Sequence, residues 1–455
     1  MAGAARRIGI LAGGGSLPRE IADSVAARGL PLHIVALDSE ADADFGPYPV
    51  TRVNWGEIGR MVDTFKENRT TDLIIIGSVK RPDLAAIKPD LGFFRAAGMV
   101  LGLVMAGGDD AVLRGVIGFF EGHGFRVVGP AELAPELVIG PGDLSGLGEE
   151  DRLTDDARLG FEIIGALGRF DIGQAAVITN GHLDALEAAE GTDGMLVRLA
   201  MQRRAHGQSL ASGAGILVKR SKPHQDRRID LPVIGPETVT RALEAGLKGV
   251  AVEAHRALAA NRAELFERSR SAGVAVVGID IDRTRAAGKE PVSSRRSWTA
   301  RMLAAAKLRR EARAMPLQKL GRHNVPPRSA RDILKGYDVV EAMRAYGGSR
   351  CVAVVRGHVL AVETGEGVLA ALERASGLRQ WGDRRLRRRA GVAVIDAGRD
   401  CAVDLVEMVG RARFAGLVVT LRRFTAGVPP ETIEAADKAG LFIAGLMADD
   451  EGRHG

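Results

Sequence analysis

Displaced by 176 residues, the sequence lies on itself, and this duplication limits the folds open to the chain more than any other feature. The segment VITNGHLDALEAAEG at 177–191 falls on AVVRGHVLAVETGEG at 353–367. Without a gap, Asp156 meets Asp332, Gly160 meets Gly336, Gly181-His182 meets Gly357-His358, Glu187 meets Glu363, Glu190-Gly191 meets Glu366-Gly367, and Gly215 meets Gly391. After a short deletion, Ile229-Asp230-Leu231 matches Val403-Asp404-Leu405, and AGVAVVG at 272–278 matches AGLFIAG at 439–445. One domain plan is therefore expected twice.

The rest of the organisation follows from periodicity. In residues 7–128, RIGILA, LHIVALD, DLIIIGS and FRVVG read as strands, alternating with helical patterns in LPREIADSVAARG, EIGRMVDTFKEN and DDAVLRGVIGFFEGHG. Such alternation implies a parallel sheet covered on both faces. From about 141 the pattern changes to one helix near 154–169, a hairpin at Asn180-Gly181, and further strand and helix pairs. The fold class is α/β: an N-terminal Rossmann-like domain (1–140), a second α/β domain (141–283), a basic linker (284–328) and the duplicated α/β domain (329–455).

A length of 455 residues suits several cores rather than one. The net charge of +6 is concentrated: residues 283–328 hold 13 Lys or Arg against 2 Asp or Glu, a local +11, which leaves −5 elsewhere. That segment invites an anionic partner, and SWTARMLAAAKLRREARAM within it could form a helix lying on an anionic membrane or a solvated connector. Aromatic residues are only 4% of the chain, too few for base stacking, so no nucleic-acid partner is expected. Cys351 and Cys401 have no paired spacing, which fits a reducing cytoplasm. Glycines interrupt the short apolar run near the N-terminus, so no export signal is read. The apolar run at 96–108 is shorter than the roughly 20 residues of a spanning helix.

Three motifs lie at strand ends of the first domain, where ligands of open α/β sheets bind. In AGGGSLPRE, Gly13, Gly14, Gly15 and Ser16 open a helix and could bring backbone N–H groups to a phosphate or sugar, or simply form a tight turn. Pro18 stands where the dinucleotide fingerprint needs its third glycine. Gly77 and Ser78, with Lys80 and Arg81, either face the same cleft or form a solvated loop. Asp109 and Asp110 mark a helix start, where capping accounts for at least one of them.

The duplication tests two further motifs. Thr192 and Asp193 become Val368 and Leu369, although Glu190-Gly191 before them is kept. In KRSKPHQDRRIDLPVIG, Lys219 becomes Ile395 and no Lys-Pro pair survives. Charge disappears where the fold persists, which moves Thr192, Asp193, Lys219, Lys222 and Asp226 toward function. His182 and His358 follow turn glycines in both copies and read as structural.

In order and spacing, IGILAGGGSLP, GSVKRPDL, GGDDAVL, DIGQAAVI, EGTDGML and KPHQDRRIDLPVIG resemble the LpxI-type UDP-2,3-diacylglucosamine pyrophosphatases of Gram-negative lipid A synthesis, over about residues 7–280. The resemblance implies hydrolysis of a lipid-linked UDP-sugar to UMP and 2,3-diacylglucosamine 1-phosphate (lipid X), with Mg²⁺ or another divalent metal, at the cytoplasmic side of the inner-membrane surface. It also implies that Asp230, in the DLPVIG motif, is the essential carboxylate. By residue chemistry, Asp230 could orient water or bind metal, and Asp226 is a second metal candidate. Substrate contacts are expected from Gly13, Gly14, Gly15, Ser16, Gly77, Ser78, Arg81, Asp110, Thr192, Asp193, Lys219, Lys222 and Gln225. The basic linker and third domain depart from the family. The third domain is expected not to catalyse, and to stand in for the C-terminal domain of a partner subunit, with homo-oligomerisation left open. A dinucleotide-dependent oxidoreductase and a non-catalytic lipid or UDP-sugar-binding regulator are the alternatives.

Overall fold

A computed structural model describes residues 6–79, 109–148, 150–208, 210, 213–222, 225–281, 317–379, 389–396, 401–421 and 427–447. The run at 96–108, most of the basic linker, Arg81, His224 and the side chain of Asp110 lie outside the described residues. The chain forms two compact units: Met1–Arg152 with Lys219–Leu243 and Gly249–Asp280, and Leu153–Val218 with Glu244–Lys248 and Ile281–Gly455.

In the first unit, β1 (Ile8–Ala12), β2 (Leu32–Leu37), β3 (Val50–Val53), β4 (Asp72–Ile76) and β5 (Arg126–Val127) build a sheet of order β3-β2-β1-β4-β5. All its pairs are parallel. Parallel neighbours need crossovers, supplied here by α1 (Leu17–Ala27), α2 (Ile58–Glu67) and α3 (Asp109–Gly122). Alternation along β1 sends Ile8, Ile10 and Ala12 into a cluster with Leu17 and Ile21 of α1, and Leu11 into a cluster with Met61, Phe65 and Phe120 on the opposite face. Both faces are thus covered, as the periodicity predicts. Strand β3 is the exception: only Val53 of its four residues is buried, so it carries no apolar run to announce it.

The sheet of the second domain runs β6-β13-β11-β9-β7-β8, with β6 (Gly142–Asp143), β7 (Ala175–Thr179), β8 (His182–Leu186), β9 (Ile216–Lys219), β11 (Gly249–Glu253) and β13 (Ala275–Ile279). Strands β10 (Val233–Ile234) and β12 (Leu258–Ala259) form a separate parallel pair. In the third domain, β14 (Leu317–Lys319), which comes from the segment expected to be linker, β15 (Cys351–Val355), β16 (His358–Val362), β17 (Val392–Asp396), β18 (Gly416–Leu421) and β19 (Phe442–Met447) run β14-β19-β18-β17-β15-β16. The two orders correspond strand for strand, down to the antiparallel edge strands β6 and β14.

The residues kept in both copies hold this plan together. The Asp156 carboxylate accepts the N–H groups of Asn180 and Gly181 at 2.9 and 2.7 Å, and Asp332 accepts those of Arg356 and Gly357 at 2.9 and 2.6 Å. These are left-handed turn residues, with φ of 51° and 79° in one hairpin and 50° and 80° in the other. Glu187 and Glu363 accept the N–H of Gln174 and of Arg350, each at 3.0 Å. A Cβ on Gly160 would stand 2.6 Å from Val218, and one on Gly336 2.5 Å from Val394.

One sequence match fails. Gly249 of β11 corresponds to Gly416 of β18 and Ala275 of β13 to Phe442 of β19, an offset of 167. The same offset carries Pro236, which opens the helix Pro236–Glu244, onto Val403, which opens Val403–Arg411. Val403-Asp404-Leu405 is therefore the first turn of a helix, whereas Ile229-Asp230-Leu231 precedes β10. The local likeness of IDL and VDL misled because, at an offset of 174, it admits only two of the nine missing residues before Asp230 and leaves the other seven to a later gap. The nine missing residues fall between Lys219 and Pro236, the segment that holds Asp230, where seven residues replace sixteen.

Candidate functional site

Because β1 and β4 are parallel neighbours, both leave the sheet at the same end. Gly13 N–H donates to Ile76 O at 2.9 Å, Gly14 N–H to Ser78 O at 2.8 Å, and Ser78 N–H back to Gly14 O at 2.9 Å. Contact this close requires the glycines: a Cβ on Gly13 would lie 2.5 Å from Ser78 O, and one on Gly77 2.7 Å from the Gly13 carbonyl carbon. Gly15 N–H donates to the Asp42 carboxylate at 2.7 Å, and Ser16 Oγ donates to Glu20 at 2.7 Å. The three glycine N–H groups expected to cradle a phosphate thus have acceptors within the protein, and a bound anion would compete with them. Exposed Gly15 and half-buried Ser16 mark the open end of this turn. Pro18 is buried in the first turn of α1, the position a dinucleotide fingerprint would give to glycine.

The loop after β9 belongs to the same unit. Lys219 is buried and donates through Nζ to Val233 O at 3.0 Å. Lys222 and Gln225 close a turn: Lys222 N–H donates to Gln225 Oε1 at 2.8 Å, and Gln225 N–H to Lys222 O at 3.1 Å. Asp226 accepts on Oδ1 from the N–H and Nε of Arg228, both at 3.0 Å, and on Oδ2 from Nη2 at 2.8 Å. The Arg228 hydrogen bond holds the Asp226 carboxyl below its usual range against the opposing effect of burial, with Arg114 of α3 adding a further positive charge. Asp226 in turn raises the Arg228 guanidinium above its ordinary value.

Asp230 is half-buried, and its N–H donates to Asp226 O at 3.1 Å. Its neighbours fix it against the first sheet. Ile229 packs on the cluster of Leu11, Phe65 and Phe120, and Leu231 on the cluster of Ile10, Leu17 and Ile21, which lie on opposite faces. The chain passes from one face to the other within three residues, so Asp230 sits at the rim of the sheet. Arg228 Nη1 reaches Glu121 of α3 at 2.7 Å. The backbone of Arg227 and Arg228 runs against Gly129, where a Cβ would come within 3.1 Å of Arg228 Cα.

The first unit therefore brings together Gly13, Gly14, Gly15, Ser16, Gly77 and Ser78 with Lys219, Lys222, Gln225, Asp226 and Asp230. Thr192 and Asp193 belong to the other unit, in the first turn of α6 (Gly191–Ala205), counting α4 as Pro130–Leu133 and α5 as Glu150–Leu167. Glu190 rather than Thr192 takes the N-cap position there, and no side chain caps the helix. Arg114 and Glu121 escaped the sequence reading. Their signal is their spacing on one helix, with Arg114 four residues after Asp110.

Among the described residues no three His, Cys, Asp or Glu gather to hold a metal. Asp226 has both oxygens engaged by Arg228 and would have to release it first. Asp230 offers one half-buried carboxylate, so a magnesium ion there would have to fill most of its sphere with substrate phosphate and water. Among the described residues no helix is long and apolar enough to cross a membrane.

Comparison with known proteins finds one family along the chain. The model of the LpxI N-terminal domain matches residues 7–137, and that of the LpxI C-terminal domain matches twice, at 140–277 and 317–444. The chain is similar to the UDP-2,3-diacylglucosamine pyrophosphatase LpxI of Caulobacter vibrioides, 36% identical over 277 residues, which cover 60% of this chain and 98% of that protein. The chain thus belongs to the LpxI family and carries the family's C-terminal domain twice.

Proposed function

We propose that this protein hydrolyses UDP-2,3-diacylglucosamine to UMP and 2,3-diacylglucosamine 1-phosphate, as a step of lipid A synthesis at the cytoplasmic face of the inner membrane. The observation that carries the reading is the loop of Asp230. It is braced against both faces of the first sheet, and the nine residues that distinguish it are missing from the copy. A segment that the fold can omit, yet anchors this firmly where present, has its use in the site.

Water adds to the α-phosphorus, the anhydride bond to the β-phosphate breaks, and the leaving sugar 1-phosphate takes the electron pair. Asp230 orients that water or holds the divalent metal. Lys222 and the exposed Arg227 supply positive charge to the phosphate oxygens. Lys219, turned to Val233 O, and Arg228, paired with Asp226 and Glu121, keep the loop in shape. Gly15 and Ser16 at the end of the glycine turn contact the substrate. A bound Mg²⁺ would offset phosphate charge as a Lewis acid. The third domain, without the loop, does not hydrolyse the substrate.

Purified protein incubated with UDP-2,3-diacylglucosamine and Mg²⁺ is expected to release UMP, EDTA to stop the release, and Asp230→Ala to abolish it with folding intact. Absence of UMP with every divalent metal tried would reject the reaction. Release insensitive to EDTA would reject the metal alone.

A further inference from the structure

Glu190, at the N-cap of α6, and Arg198, midway along it, meet Glu366, just before the third domain's Val368–Gly377 helix, and Arg374 in the last turn of that helix, all within the second unit. Arg198 Nη2 donates to Leu186 O at 3.2 Å and to Glu190 at 3.1 Å, while Nη1 lies 3.5 Å from Glu366. Arg374 Nη2 donates to Val362 O at 3.0 Å and to Glu366, while Nη1 donates to Glu190 at 3.0 Å. Each member of the first set lies 176 residues before its counterpart in the second. Residue i of one copy touches j of the other, and j touches i, which is the signature of an isologous contact between identical subunits. Two domains docked without that history would have no reason to pair equivalent positions.

The four side chains are 3–12% exposed, so two positive and two negative charges neutralise one another out of water. Such a cluster sets register more than it adds stability. Ala189 packs against the apolar core of the third domain alongside it. One contact breaks the symmetry: Tyr346 Oη donates to Glu162 at 3.0 Å, and the position equivalent to Tyr346 is Phe170, which has no hydroxyl to return the bond. This bond favours the third domain over a second copy of the second domain, as does covalent tethering, which keeps the local concentration high.

We propose that this is a homodimer interface enclosed in a single chain: the surface around Glu190 and Arg198 is self-complementary, and the third domain covers it in place of a second copy of the protein. The loss of the Asp230 loop and the retention of Glu366 and Arg374 then have one explanation, since the copy keeps what pairing needs and drops what catalysis needs.

The full-length variant Glu190→Arg/Arg198→Glu tests this. Its reversed charges repel the third domain but remain complementary to the same surface on another molecule. Its mass by sedimentation is expected to at least double relative to the wild type. Reversing Glu366 and Arg374 as well restores pairing within the chain and the wild-type mass. A two-residue variant that keeps the wild-type mass, or a four-residue variant that keeps the larger one, overturns the proposal. Should the first variant fail to fold, Glu366→Arg/Arg374→Glu carries the same expectation and the same contrary result.

Discussion

Arg228 Nη1 and Glu121 Oε1 are 2.7 Å apart and 107 residues apart in sequence, and this bond ties the loop of Asp230 to helix α3 of the first domain. The two side chains are 40% and 44% exposed, so the pair contributes at most about 1 kcal/mol to stability. Its value lies in position. Arg228→Ala is expected to leave the thermal midpoint nearly unchanged but to slow UMP release, on the order of 10²-fold if the loop shifts by about an ångström. Parallel melting and turnover measurements check this, and equal losses in both would assign Arg228 to folding alone.

The third domain can be destabilised without touching the site. A Cβ on Gly336 would meet Val394 at 2.5 Å, with Val354 at 3.4 Å. Gly336→Ala should cost about 1–3 kcal/mol through overpacking. Urea denaturation followed by hydrogen exchange should show early opening of 329–447, while Gly160→Ala, against Val218, should act on the second domain instead.

Arg203 is 6% exposed and donates to Ala214 O, Ala245 O and Gly246 O at 3.0, 2.8 and 3.1 Å, and to Asp184 at 2.8 Å. Arg203→Ala takes a donor from three carbonyls and from Asp184, although Gly246 O keeps the Ala214 N–H and Asp184 keeps Thr179, with an expected loss of about 1–3 kcal/mol. Lysine should restore little of it, since one ammonium cannot span the same acceptors. Denaturation midpoints of the two variants decide the point.

Burial pushes the Asp332 carboxyl up to about 6 from 3.8, outweighing the N–H groups of Gly357 and Arg356 that favour its ionised form. A raised folded value means that the folded state binds the proton more tightly. Its contribution is therefore full below pH 3.8 and lost as pH rises to 6, about 3 kcal/mol in all. Glu366 has the opposite sign: burial is outweighed by Arg198 and Arg374, its carboxyl is lowered from 4.5, and its contribution is lost as pH falls below that value. Asp332→Asn is expected to flatten the stability profile of the third domain between pH 4 and 6. An unchanged slope would remove Asp332 as its source.

The duplication, the α/β class and the parallel first sheet follow from sequence alone, because hydrophobic periodicity and turn glycines are local and the 176-residue offset carries both through two copies. What the shared residues do came from the tertiary structure: Asp156 and Asp332 hold hairpins, and Gly160 and Gly336 admit a strand residue. Three other points needed tertiary structure. The position of the nine-residue gap depends on which strands pair, and IDL and VDL look alike until pairing assigns one to a loop and the other to a helix. The glycine turn reads as an anion cradle until Ile76 O, Ser78 O and the Asp42 carboxylate are seen to take its N–H groups. The partners of Glu190 and Arg198 lie 168 or more residues away, and hydrogen bonds over that distance are set by how domains meet, which no local pattern encodes.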